Sequence, residues 1–502
     1  MRKIKEVIIF TLLRFAKGFR TVLSESEDSY KLLFLPGYER TRWQIGKWKA
    51  WRVFVQAQKF TPAYKEFLGK NGNFVIPVKG WDPDLSVVPI MDKESYIKKF
   101  SIESRCLYGA LPKSGVVIDE SSGTSGTPNN WVRGPKERAA IKYILEASVH
   151  FLVGDDPIFF INAFALGPWA TGMNVSMSLV DIAILKSTGP DAQKIINTLN
   201  FFGPKYRYII SGYPPFLKGL ADSKEVDWAK YDIIVFFGGE GISEGMRGYM
   251  GKAFKKIYGS YGASDLEINI GAENDFTIAL RKKIVEDEGL RRKIVQHESL
   301  PMIFQYNPLD YFIETNKEGE LVVTLCRLAN VSPKVRYNIH DLGHVIRFPE
   351  LEKILKESGI KISDIGAAQS DLPLLFHYGR ADMSVAFYGC KITPGDIEDI
   401  IFKDAELAQQ VNSFSLITSE DEKMNKKLTL ALEMNEGKKP LKAVEKVRND
   451  IFEMLKSVNQ DYRESSKMIP QGFEPALEVY PFGQGPFAAN DIRLKKHYIQ
   501  QR

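Results

Sequence analysis

Three uninterrupted runs of β-branched and aromatic residues most tightly limit how this chain can fold: Gly115-Val116-Val117-Ile118, Ile158-Phe159-Phe160-Ile161 and Ile233-Ile234-Val235-Phe236-Phe237. A strand with one face in water alternates apolar and polar residues, whereas a run without alternation belongs to a strand buried on both faces. Gly-rich turns bound these runs, and helical stretches such as Pro135 to Val153 and Asp191 to Phe202 lie between them. Strands alternating with helices predict an α/β domain with buried sheets.

The 502 residues exceed the size at which one hydrophobic core stops growing, so two or more domains are expected. Residues 1–115 read as mostly helical and aromatic-rich, with turns at Leu35-Pro36-Gly37 and Trp81-Asp82-Pro83. After Arg380 the pattern changes. Ile397 to Val411 and Lys442 to Val458 read as helices, while Phe414-Ser415-Leu416-Ile417 and Leu428-Thr429-Leu430-Ala431-Leu432 read as strands. The expected division is a large domain over 1–382, its first 115 residues helical, and a smaller α+β domain over 383–502.

The 68 Lys and Arg against 62 Asp and Glu leave a net charge of +6, too mild to indicate a nucleic-acid binder. Cys106, Cys326 and Cys390 fall in no metal-like spacing and are too few for a disulfide framework, so a reducing, cytoplasmic setting is expected. The apolar run Val7 to Leu13 is far short of the roughly 20 residues that span a bilayer, and it carries no clear cleavage site. On a helix, Lys3, Arg14 and Lys17 share one side, with Arg20 at its margin, while Ile8, Ile9, Leu12, Phe15 and Phe19 lie mostly elsewhere. Such a helix is expected to pack on the domain; contact with a membrane surface is the alternative.

The strongest local signal is Ser121-Ser122-Gly123-Thr124-Ser125-Gly126-Thr127-Pro128. Hydroxyls beside glycines form a loop whose N–H and O–H groups can converge on phosphate oxygens. It is not a Walker A loop, since Gly-x-x-x-x-Gly-Lys-Ser/Thr occurs nowhere in the chain, nor does Gly-x-Gly-x-x-Gly.

This loop resembles the phosphate-binding signature of the adenylate-forming superfamily of acyl-CoA synthetases. Four more segments resemble that family's elements, in its order. Gly238-Gly239-Glu240 is similar to the adenine-lining segment and Tyr261-Gly262-Ala263-Ser264-Asp265 to Tyr-Gly-x-Thr-Glu. Tyr337-Asn338-Ile339-His340-Asp341-Leu342-Gly343 is similar to Tyr-x-Thr-Gly-Asp-Leu-Gly, and Gly379-Arg380-Ala381-Asp382, continuing to Glu398, to the interdomain segment. Within that family the chain most resembles the phenylacetate–CoA ligase-like and CapK-like branch, partly through Phe60-Thr61-Pro62-Ala63-Tyr64. The resemblance implies a large multi-sheet N-terminal domain, a smaller mobile C-terminal lid, and activation of a carboxylic acid by ATP and Mg²⁺ with release of pyrophosphate. It also implies acyl transfer, by default to CoA as a thioester, with a carrier-protein thiol or an amine as other acceptors.

Carried over residue by residue, the resemblance gives Ser121, Ser122, Gly123, Thr124, Ser125, Gly126 and Thr127 to the phosphates, and Gly238, Gly239, Glu240, Tyr261, Gly262 and Ala263 to the adenine site. It gives Ser264 to the α-phosphate, Asp341 and Arg380 to the ribose, and Asp265 with Glu267 to the metal. Asp382 is the implied hinge between adenylation and transfer poses. Lys495, then Lys496, is the implied catalytic lysine, although the usual Gly-Lys context is missing and Arg493 stands close by. Other departures are Asp265 for the usual Glu, Asn129 and Asn130 where many members carry Lys, and His340 for a small residue.

An aromatic and Met-lined acyl pocket is expected from Phe164, Trp169, Thr171, Gly172 and Met173 together with Ser211-Gly212-Tyr213-Pro214. Two other readings compete. Gly241-Ile242-Ser243-Glu244-Gly245 fits the Gly-x-Ser-x-Gly of a hydrolase nucleophile elbow, with His297, His340, His344 or His377 as base, but no His-Gly-Gly oxyanion element precedes it. The altered residues at 129, 130 and 265 also suit a protein that binds a nucleotide or acyl-adenylate without turnover.

Overall fold

Two of the three apolar runs form buried strands, as their composition requires; the first does not, since Ile118 in its strand is 43% exposed. Ile158–Asn162 is buried at every residue and pairs in parallel with Ala183–Ser187. Asp232–Gly238 likewise pairs in parallel with Arg207–Gly212. The first run enters its strand only at Val117 and continues to Ser121, because Gly115 takes a left-handed φ of 76° that a strand excludes. Between them, Pro135–Val153 is helical over the expected span, and Ala192–Phe202 begins where Asp191 accepts the Lys194 N–H as a cap.

The computed structural model describes residues 2–23, 34–69, 74–121, 129–297, 300–366, 370–380, 384–438, 443–488 and 499–501. The chain divides into two compact units. One comprises Met1–Asp119, Asn130–Ser187 and Tyr258–Gly379; the other comprises Glu120–Asn129, Thr188–Ile257 and Arg380–Arg502.

In the first unit, strands Tyr311–Thr315, Glu320–Leu325, Tyr337–Ile346, Leu374–Arg380, Met302–Tyr306, Gly271–Ala272 and Lys256–Tyr261 lie side by side in that order. Helices Asp275–Glu286, Glu288–Ile294 and Phe348–Glu357 cover this sheet through Leu280, Ile284, Leu290 and Leu351, packed on Ile303, Leu374 and Phe376. The helix Glu39–Phe60 buries Arg42, Gly46, Ala50, Phe54 and Ala57, a stripe at helical spacing. A Cβ on Gly46 would stand 2.1 Å from the Pro308 carbonyl oxygen, so only glycine permits the helix to approach that turn. Polar ties fix its N-terminus: Arg42 pairs with Asp371 at 2.7 Å, and Arg347 grips the Glu39 carboxylate at 2.6 and 2.9 Å. At the expected 81–83 turn the chain makes a small hairpin, Val78–Lys79 against Asp82–Pro83.

The second unit holds a four-stranded sheet in the order Ala476–Tyr480, Lys426–Met434, Val411–Glu420, Ile499–Gln501. Its two central strands, both anticipated, form an antiparallel hairpin. Helices Pro394–Lys403 and Val444–Val458 bury Ile397, Ile400, Ile451 and Leu455 against Leu416 and Leu430. The single helix expected over 397–411 is two helices. Asp404 breaks it by leaving helical φ/ψ and capping Ala405–Gln410 through the N–H groups of Glu406 and Leu407. The molecule is mixed α/β with a large multi-stranded sheet.

Candidate active site

In the first unit, the chain leaves the strand Lys256–Tyr261 through a turn over Gly262-Ala263-Ser264-Asp265. The turn closes on itself: Ala263 N–H donates to the Glu267 carbonyl at 3.0 Å and Leu266 N–H to that of Ala263 at 3.0 Å. A side chain at 262 would bring a Cβ to 2.8 Å from both the Asn269 nitrogen and the Glu267 carbonyl oxygen, which explains the glycine. Buried Arg133 clamps the turn from outside, donating to the carbonyls of Ser264, at 2.5 Å, and Leu266. Asp119 at 3.1 Å and Glu137 at 3.2 Å neutralise this guanidinium, and together they outweigh its desolvation and hold its pKa above the usual arginine value. Ser264 is therefore positioned through its backbone.

Tyr261 is buried, stacked on Phe304 with ring centroids 5.8 Å apart and packed on His377 at 4.8 Å. Its hydroxyl donates to Asp341 Oδ2 at 2.7 Å, and His377 Nε2 lies 3.3 Å from the same oxygen. Asp341 follows His340, whose φ of +63° belongs to the left-handed region. Glycine fits that conformation at less cost, because it has no Cβ. Here the imidazole is anchored instead, with Nδ1 3.0 Å from Glu320 and the backbone N–H donating to Asn338 Oδ1 at 2.8 Å. Burial favours the neutral Glu320, but hydrogen bonds from His340, Asn338 and Asn316 win and lower its pKa.

The two metal candidates differ. Asp265 is half-buried, accepts the Tyr337 hydroxyl at 2.9 Å and lies 3.7 Å from Lys93 Nζ. Glu267 is fully buried, its Oε2 held by Arg327 and the Tyr311 hydroxyl, while Oε1 has no hydrogen-bond partner. Magnesium is usually held by one or two carboxylates completed by phosphate oxygens and water. Asp265 fits that chemistry as the protein ligand; Glu267 is already neutralised by a guanidinium. Among the described residues no group of three His, Cys, Asp or Glu forms a metal site.

Sequence reasoning missed two buried cations, Lys334 and Arg105, near Tyr337. Lys334 Nζ lies 4.8 Å from the Trp131 ring centroid and 5.7 Å from that of Tyr337. Burial, with Arg105 and Arg133 adding to it, pushes the Lys334 amine down to about 7. Arg105 is also buried, and neither cation forms an ion pair with a carboxylate among the described residues. The only signal in the sequence is a lysine three residues ahead of Tyr337.

The expected acyl-pocket residues of this unit cluster around the helix Ala170–Leu179. Phe164 is buried, Trp169 precedes the first turn, and Met173 is partly exposed. Gly172 passes so close to Ala165 that a Cβ would lie 2.1 Å from its carbonyl oxygen, and Asn162 Nδ2 donates to the Gly172 carbonyl at 2.7 Å. None of them lines the cavity of about 50 Å³ bordered by Phe151, Asn269, Asn274 and Gln305, which has room for a water or two.

In the second unit, Asp232–Gly238 ends at Gly239, whose φ is +85°. The Tyr213 ring fills the space beside two glycines: added Cβ atoms would lie 2.8 Å from it at Gly239 and 3.2 Å at Gly389. Glu240 accepts the Gly389 N–H at 2.7 Å and pairs with Lys426, so its carboxylate is tied to the strand Lys426–Met434. Ser243 caps the helix Glu244–Met250 by accepting the Met246 N–H, and its hydroxyl donates to Glu420 at 3.0 Å. A serine serving as a cap beside a carboxylate is not arranged as a nucleophile with its base. Arg380 ends the strand Leu374–Arg380. Residues 122–128, Asp382, Arg493, Lys495 and Lys496 lie outside the described residues, as does the side chain of Ser121.

No family model matches the chain, and no curated protein matches it. Solved structures do. 2-Hydroxyisobutyryl-CoA ligase, in complex with 2-HIB-AMP and CoA in the thioesterification state, superposes with a TM-score of 0.63 at 15% identity, over 93% of this chain and 91% of that one. The same ligase in the postadenylation state with R3-HIB-AMP gives a TM-score of 0.52 at 14% identity, over 93% and 91%. At such identities the likeness speaks for the fold alone, and the fold is shared with 2-hydroxyisobutyryl-CoA ligase.

Proposed function

We propose that this protein activates a carboxylic acid with ATP, forming an acyl-adenylate and pyrophosphate, and then transfers the acyl group to a thiol, CoA first among the acceptors. The observation that carries the reading is the meeting of Tyr261 with Asp341, which joins two separately matched signature segments through one hydrogen bond. The fold it shares with a ligase solved with an acyl-AMP and CoA supports it further.

In the first step a carboxylate oxygen attacks the α-phosphorus; the bond to the bridging oxygen breaks and pyrophosphate leaves with the electron pair. Two anions must approach, so the chain's positive charge and hydrogen-bond donors set the rate. The 121–127 loop would hold the departing phosphates, with Ser264 near the α-phosphate. Asp341 and Arg380 would hold the ribose, and Gly238, Gly239 and Glu240 the adenine side with Tyr261. Asp265 would hold Mg²⁺, which neutralises phosphate charge. Lys334 when protonated, with Arg105 beside it, would place positive charge near Trp131, offsetting Asn129 and Asn130 at the start of the strand Asn129–Arg133. Lys495, or failing it Lys496, would bridge carboxylate and α-phosphate, with Asp382 as the hinge that withdraws it. In the second step the thiol sulfur attacks the acyl carbon, AMP leaves, and the thiol proton passes to water.

The acid would bind near Phe164, Trp169, Gly172, Met173 and Tyr213; an aryl or acyl chain suits that lining, as in the phenylacetate–CoA ligase-like branch. The free, buried Cys106, Cys326 and Cys390 fit a reducing, cytoplasmic setting. ATP–pyrophosphate exchange with aryl, short-chain and long-chain acids tests the reading. Acid-dependent exchange that Lys495→Ala loses by roughly a hundredfold or more is expected. ATP binding without exchange for any acid would leave a binding protein in place of a ligase.

A further inference from the structure

The helix Arg2–Leu23 carries two apolar faces. One is docked: Ile9 and Leu13 are buried, and the Phe10 ring meets Trp51 edge-on at 5.2 Å. The other is bare. Ile4, Val7, Ile8 and Leu12 are 63, 64, 41 and 52% exposed. At 100° per residue these four, with Thr11 among them, fill an arc of roughly 140° pointing away from Ile9 and Leu13. One apolar stripe suffices to pack a helix on a domain, so the second is not explained by folding. Contiguous exposed aliphatic side chains mark interaction surfaces.

The rim of this face gives the chemistry of its partner. Exposed Lys3 and Arg14 flank it on the Val7 side. On the Leu12 side stands Lys5, which donates to the Gly80 carbonyl at 2.7 Å and lies 5.9 Å from the ring of Trp81, itself 49% exposed. Across the helix, six Lys and Arg face a single acid, Glu6. An apolar stripe with a basic rim and a tryptophan at its edge matches the interface of an anionic bilayer, where aliphatic side chains enter the acyl boundary and cations meet headgroup phosphates. A second copy of the chain is a poorer match, because stripe-to-stripe pairing would bring basic rims together. Among the described residues no helix is long and apolar enough to cross a membrane, so the geometry is that of a helix lying in the interface plane.

We propose that the face formed by Ile4, Val7, Ile8 and Leu12 seats this protein on anionic lipid surfaces. Flotation of the full chain with vesicles tests it, comparing phosphatidylcholine alone with phosphatidylcholine containing a quarter phosphatidylglycerol. Binding is expected to the anionic vesicles only, and to weaken as salt is raised. Ile8→Asp combined with Leu12→Asp should lower the bound fraction roughly tenfold or more, and Lys3→Glu with Arg14→Glu by on the order of tenfold. All four side chains are exposed, so unchanged thermal unfolding separates lost binding from lost folding. Failure to float with either vesicle, or flotation that both variants leave unchanged, overturns the proposal. So does a concentration-dependent dimer that Ile8→Asp with Leu12→Asp dissociates.

Discussion

The hydroxyl of Tyr261 donates to Asp341 Oδ2 across 2.7 Å, linking two points 80 residues apart in the chain at a buried position. A hydrogen bond to a buried charge contributes about 1.5–3 kcal/mol, and removing the donor leaves the carboxylate desolvated. Tyr261→Phe keeps the packing on Phe304 and His377, so it isolates that bond. Denaturant titration should show a loss of about 2 kcal/mol with an unchanged m-value. If Asp341 also serves the ribose, the same variant should weaken ATP binding in calorimetry. Unchanged stability and ATP affinity would remove both roles.

Lys334 makes folding pH-dependent in a predictable direction. Its amine is lowered to about 7 in the folded chain, whereas an unfolded lysine titrates near 10.4. Between these values the unfolded chain holds a proton that the folded chain does not, so stability rises with pH across this window. Below about 7 both states are charged and the full burial cost applies. Lys334→Met should therefore stabilise the protein most near pH 6 and least near pH 10, measured by thermal unfolding at each pH. A gain of equal size at both values would show that the lysine is charged throughout. Loss of pyrophosphate exchange in this variant, despite higher stability, would tie the cation to phosphate binding.

His344 should steepen the acid limb of stability. It is buried, stacked on Phe376 at 4.7 Å with the rings 9° apart, and its Nε2 has no hydrogen-bond partner. Burial lowers its pKa to about 4, below the usual value near 6.5. As pH falls from about 6.5 to 4, the unfolded chain takes up a proton that the folded chain refuses, and stability falls by up to about 1.4 kcal/mol per pH unit. His344→Phe keeps a flat ring on Phe376 and should shallow that slope. An unaltered slope would assign the acid limb to carboxylates.

Residue order exposed most of the fold because the buried strands lack alternation, so Ile158–Asn162 and Asp232–Gly238 could be read directly. The break at Asp404 was not legible: an Asp inside an apolar helical pattern becomes a cap only when both following N–H groups turn toward it. The motif segments also stood out, but their partners did not. Arg133 binds the Ser264 carbonyl from 131 residues away, and Arg327 neutralises Glu267 across 60. Such pairings depend on strand order, which no local spacing encodes. The substitution of His340 for a small residue was legible as a departure, yet its positive φ and its anchor on Glu320 emerge only in three dimensions.

Gly239 offers a test in which two costs can be separated. Its φ of +85° disfavours any side chain, and a Cβ would also strike the Tyr213 ring at 2.8 Å. Left-handed backbone costs an alanine about 1–2 kcal/mol, and overpacking adds about 1–3. Gly239→Ala should thus destabilise the chain by roughly 2–5 kcal/mol in denaturant titration. Tyr213→Ala empties the space, so it removes the collision but leaves the backbone strain. The double variant should be more stable than the two single losses predict, by a coupling of about 1–3 kcal/mol. Strict additivity would mean that the ring moves aside at no cost and that backbone strain alone requires the glycine.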